Sequence, residues 1–69
     1  MIIYVVKWNE NGKQKFATSS YSKAKEKYLN LVFKAKEGED LEIGTLEEAV
    51  LKIDISKKGD VIDVLNKEL

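Results

Sequence analysis

Two alternating apolar runs, IIYVVKW and QKFATSS, flank the pentapeptide NENGK at residues 9–13. Asn-Gly between such runs is a strong short-range signal for a β-hairpin. The register of that hairpin decides which side chains face a core. A two-residue Asn11-Gly12 turn would set Lys7 opposite Phe16 and Val6 opposite Ala17. A three-residue loop, Glu10-Asn11-Gly12, sets Trp8 opposite Gln14, Val6 opposite Phe16, Tyr4 opposite Thr18 and Lys7 opposite Lys15. The second register gathers Ile2, Tyr4, Val6, Trp8 and Phe16 on one face. Its turn chemistry also fits, with Asn first and Gly fourth in a type I turn that closes into a left-handed glycine bulge. The three-residue register is therefore expected, and NENGK reads as a corner rather than a recognition loop.

That register leaves Ile3, Val5 and Ala17 on the other face, beside Lys7, Lys13 and Lys15. In a two-layer domain this face meets water. The expectation is thus an apolar patch with a basic rim, either a partly exposed strand or a contact surface formed by Ile3, Val5, Lys7, Lys15 and Ala17.

A helix is predicted over about residues 21–37. Ser20 or Ser22 can cap its start, because a serine hydroxyl accepts from a free backbone N–H of the first turn. Tyr21, Ala24, Tyr28, Leu31, Val32 and Ala35 recur at helical spacing as the buried stripe. Five lysines lie off that stripe, and Gly38 ends the helix. Leu29 and Phe33, on the flank, either widen the core contact or form an exposed ridge, and the core placement is favoured. Farther on, Thr45 and Glu48 match a capping box in TLEE, which predicts at least one helical turn at 46–50.

The tail admits two readings. LKIDIS alternates, and a tight turn around KKGD would pair Ile55 with Ile62 and Ile53 with Val64 in a second hairpin. The rival is a helix from Leu46 to about Ser56, followed by a short helix capped by Asp60. β-branched residues at 50–55 and 61–64 favour the hairpin. The fold class expected is α+β: a single two-layer domain over residues 1–69 with N-terminal hairpin, one amphipathic helix, a helical turn and C-terminal hairpin (ββαββ).

The chain has 69 residues with no cysteine and no histidine. Its stability must come from one small core without disulfide staples. Catalysis loses the two side chains most easily tuned to neutral pH. No serine has an imidazole base, and a Ser–Lys pair near Lys23 reads better as a solvated helix start. The acidic stretch Glu37, Glu39, Asp40, Glu42 matches no EF-hand spacing, and the glycines form no phosphate-binding fingerprint. No enzyme activity, cofactor or metal site is expected. No apolar run approaches the roughly 18 residues of a membrane span, and IIYVV is too short for a signal peptide, so a cytoplasmic protein with no membrane association is expected.

Net charge is zero but unevenly spread. Residues 1–36 carry eight lysines against two glutamates, a net of +6, and residues 37–69 carry four lysines against ten acids, a net of −6. All the basic residues are lysine, and none offers the planar fork of arginine. A basic hairpin with aromatics can bind single-stranded nucleic acid. The register buries those aromatics, however, and the acidic half would repel phosphate. If the two halves form opposite faces, such a field orients a protein partner instead.

IIYVVKWNENGKQKF followed by SYSKAKEKYLNLV resembles small uncharacterised phage and prophage proteins of low-GC bacteria. These begin strand–Asn-Gly turn–strand and carry one Lys/Glu-rich helix. The resemblance implies a class of role, binding and blocking one host protein, and assigns no residue. The function expected is a non-enzymatic protein-binding module, an inhibitor or adaptor acting on a host protein such as a defence or nucleic-acid enzyme. Its contact residues would be the outer hairpin face, or the acidic residues Glu37, Glu39, Asp40, Glu42, Glu47 and Glu48, which can mimic phosphate. The alternatives are a lysine-rich nucleic-acid-binding domain and a self-associating homodimer.

Overall fold

A computed structural model describes residues 1–55 and Asp63. The elements are strands β1 (Ile2–Asn9) and β2 (Lys13–Thr18), helix α1 (Tyr21–Lys36), the single turn α2 (Leu46–Ala49) and strand β3 (Val50–Asp54). The fold is small and α+β, with an antiparallel sheet in the order β2-β1-β3. The first strand is therefore central, and α1 carries the chain from one sheet edge to the other.

The hairpin adopts the three-residue register. Val6 pairs with Phe16, Lys7 with Lys15 and Trp8 with Gln14, and the pairing reaches Asn9 and Lys13. The corner is not the expected type I turn, whose third residue has negative φ: Asn11 as well as Gly12 lies at positive φ, at 55° and 109°. Asn tolerates that region because its short polar side chain can bond locally.

Ser20 is the N-cap of α1, and its hydroxyl accepts from the Lys23 N–H at 3.4 Å. At the other end Gly38, at φ 90°, donates to the Ala35 carbonyl and Glu39 donates to the Lys34 carbonyl, each at 3.2 Å. These are the two bonds of a Schellman stop, which glycine permits by taking the left-handed conformation. Lys34 and Lys36 in the last turn complement the negative end of the helix dipole.

The core between the sheet and α1 holds buried Val6, Ala24, Leu31 and Leu41, flanked by half-buried Tyr4, Trp8, Ala35, Ile43 and Val50. Three members of the expected layers are less covered. Tyr21 is 46% exposed and leans on Tyr4 with ring centroids 5.3 Å apart, and Ile2 at the start of β1 and Phe16 on edge strand β2 are exposed. Leu29 and Phe33 do not widen the core. At about 100° per residue they point away from the Ala24–Leu31–Ala35 stripe, and they form the exposed ridge instead.

The expected strand at 50–55 exists as β3, but its partner is β1, with Ile3 opposite Ile53 and Val5 opposite Leu51. The second strand of the expected C-terminal hairpin lies outside the described residues. The odd-numbered face of β1 is also buried at its centre: Ile3, Val5 and Ile55 form a second buried cluster with Ala17 and Ile53 packed against it. The expectation that this face meets water fails at Ile3 and Val5. Beyond Val50, the free edge of β1 is taken by Glu42, which exchanges two backbone bonds with Asn9 at 2.8 and 2.9 Å.

Candidate interaction surfaces

Of the outer hairpin face, Val5 has no exposed surface and Ile3 is buried, while Ala17 and Lys7 are half-buried and Lys15 is exposed. The structure thus brings these five residues onto one face of the sheet but withdraws the apolar centre of the patch. A partner on this side would meet lysine side chains rather than Ile3 and Val5.

The acidic segment is arranged the opposite way. Between 37 and 48 the chain carries six acids and no lysine, and Glu37, Glu39, Asp40, Glu42, Glu47 and Glu48 are all exposed. Three devices hold the backbone beneath them. The Schellman stop fixes its start, buried Leu41 and the Asn9–Glu42 bridge pin its middle, and a capping box fixes its end. In that box the Glu48 N–H donates to the Thr45 hydroxyl and the Thr45 N–H donates to the Glu48 carboxylate, each at 3.3 Å. The Tyr28 hydroxyl adds a tie from α1 by donating to the Gly44 carbonyl at 3.1 Å. Glu48 is engaged by its cap, and among the described residues no side chain bonds the other five carboxylates.

A cleft lies between the two charge halves, where the ladder of β1 passes from β3 to Glu42. Lys7, Trp8, Glu42 and Glu48 line it. Both signs meet there, so the basic and acidic halves are not wholly separate faces.

The aromatics of the hairpin are engaged within the domain. Trp8 is half-buried, its indole N–H donates to the Glu10 carboxylate at 3.3 Å, and Lys27 Nζ sits 5.1 Å from the ring centroid. A ring already capped by a lysine is a poor platform for a nucleic-acid base. Among the described residues no group of His, Cys, Asp or Glu is placed to hold a metal ion, and no helix is long and apolar enough to cross a membrane.

One surface escapes a reading based on the core stripe. Tyr21, Leu29 and Phe33 line an open groove along the outer side of α1, with Phe33 68% exposed. The helical wheel contains the signal, since Leu29 and Phe33 fall nearly opposite Leu31 and Ala35. No protein-family model, curated protein or solved structure matches the chain.

Proposed function

We propose that the protein is a non-enzymatic protein-binding module, an inhibitor or adaptor of a mobile genetic element that acts in the cytoplasm by occupying the surface of a host protein. The observation that carries this reading is the exposed acidic segment, single-signed over residues 37–48 and held on a backbone tied at start, middle and end. A fixed array of carboxylates presents negative charge at little ordering cost to a basic groove. A groove that binds nucleic-acid phosphates is basic for the same reason, so nucleic-acid enzymes are the target class.

The test is affinity capture from the lysate of the source organism, with and without nuclease, using the natural chain and the variant Glu39→Gln/Asp40→Asn/Glu47→Gln. These three carboxylates are exposed and outside the capping box. A stoichiometric protein band that survives nuclease and is lost with the variant is expected. Bands that vanish with nuclease would replace this reading with nucleic-acid binding.

A further inference from the structure

Four residues on the outer side of α1, Glu26, Leu29, Phe33 and Lys36, follow one another at intervals of three, four and three. This spacing keeps side chains on one face of a helix and is the seam along which a second helix packs. All four are exposed. Neither Glu26 nor Lys36 makes an ion pair among the described residues.

The order along the seam is acid, apolar, apolar, base. Read backwards it is base, apolar, apolar, acid, at the same intervals. A second α1 laid antiparallel on the first, about a two-fold axis midway between Leu29 and Phe33, sets Glu26 against Lys36 of the second copy and Leu29 against Phe33 of the second copy. Symmetry repeats both contacts. We propose that the chain forms an antiparallel two-fold dimer through this seam of α1, with a second copy of itself as the occupant of the exposed ridge. None of the six acidic residues proposed to meet a host protein belongs to this seam, so the dimer stands independently of that role.

Charge sets the direction of pairing. A parallel pair in register brings Glu26 against Glu26 and Lys36 against Lys36, which opposes association twice. The antiparallel pair replaces both with opposite charges, which is the self-complementarity that an isologous interface requires. Lys25, on the same flank as Lys36, is the unfavourable neighbour that remains. An anionic membrane would also attract a lysine-rich helix with exposed Leu29 and Phe33. Glu26 at one end of the seam and Glu37, Glu39 and Asp40 beyond the other oppose that occupant.

The seam runs from Glu26 to Lys36 within the 16-residue α1, about 15 Å at 1.5 Å per residue. One helix face buries less than the roughly 800 Å² per partner of a standard interface. The dimer is therefore expected to be weak, with a Kd on the order of 10–100 μM.

Sedimentation equilibrium of the full chain from about 5 μM to about 1 mM, a range that brackets such a constant, tests the proposal. The weight-average mass is expected to rise from 7.9 kDa towards twice that value. Glu26→Lys and Lys36→Glu are each expected to weaken association about tenfold, since each places like charges together at two symmetric contacts. Glu26→Lys/Lys36→Glu restores opposite charges and is expected to return the constant to within about threefold of the natural chain. Phe33→Ser abolishes the dimer without altering the circular dichroism spectrum. A monomer mass throughout the range overturns the proposal, as does a dimer that is indifferent to the single reversals or unrescued by the double one. Co-sedimentation of a monomer with phosphatidylserine vesicles, lost in Phe33→Ser, would assign the ridge to a membrane surface instead.

Discussion

Val5 and Val6 are adjacent on β1, point to opposite faces of the sheet, and have no exposed surface at all. Successive side chains of a strand alternate between faces, so the sheet is covered on both sides at its centre. A hairpin laid on one helix would bury Val6 and leave Val5 wet.

Val5→Ala and Val6→Ala are therefore expected to cost about the same, about 2 kcal/mol each for two buried methyl groups and the cavity they leave. A domain of this length holds roughly 3–10 kcal/mol in total, so either change should lower the urea midpoint visibly. If Val5→Ala left the midpoint within error while Val6→Ala lowered it, the second buried cluster would have no energetic reality. Val5→Glu should not fold, which makes it unsuitable as a binding probe.

Gly44 and the capping box are coupled by space. A Cβ at residue 44 would lie 2.5 Å from Glu48 Oε2 and 3.2 Å from Glu48 Cβ, so Gly44→Ala must push the carboxylate off the Thr45 N–H. Thr45→Ala removes the other half of the box and is expected to cost about 1 kcal/mol. Gly44→Ala and Glu48→Ala should then be non-additive, because the second change removes the carboxylate that the first one strikes most closely. Chemical denaturation of both single variants and the double one measures this. Full additivity would mean that the contact between residues 44 and 48 does not matter.

Local chemistry in the sequence specifies much of this fold. The three-residue register follows from placing Val6 opposite Phe16, Ser20 and Gly38 bound the helix, and Thr45 with Glu48 announces α2. What was missed depends on distant pairing. An alternating reading of IIYVV assigns Val5 to water, yet five consecutive apolar residues are the signature of a strand buried on both faces. Taken that way, the run would have placed Val5 as well as Val6 in a buried layer. The pairing of residues 50–55 with β1 joins opposite ends of the chain and carries no turn signal of its own. The positions of Leu29 and Phe33 were legible from the helical wheel, but apolar character outweighed angle. The acidic segment could be read as charge, whereas its fixed backbone depends on the Asn9–Glu42 bridge, which no local pattern encodes.

The corner at Asn11-Gly12 separates backbone strain from crowding. Gly12 sits at φ 109° with nothing within 4 Å of a built Cβ. Gly12→Ala thus meets no neighbour, and its expected cost of about 1–2 kcal/mol is purely conformational. In a chemically synthesised chain, D-alanine at position 12 suits positive φ and should match or exceed the stability of glycine, by reducing the freedom of the unfolded chain. Equal destabilisation by L- and D-alanine would show that the corner does not hold this conformation in solution.

The last relationship to test is that of Lys27 and Trp8. The ammonium lies 5.1 Å from the ring centroid, within the range at which a cation is attracted to the face of an indole. Lys27→Gln keeps a similar helix propensity and removes the charge, so the expected loss of about 0.5–1 kcal/mol reports the ring contact. Lys25→Gln is the control: it is exposed on the same helix and makes no ring contact, so its effect should stay within about 0.5 kcal/mol. Trp8 is the single tryptophan, and its fluorescence reports both the local change and the urea transition. A Lys27→Gln transition that coincides with that of Lys25→Gln would remove the contact from the account of what holds α1 against the hairpin.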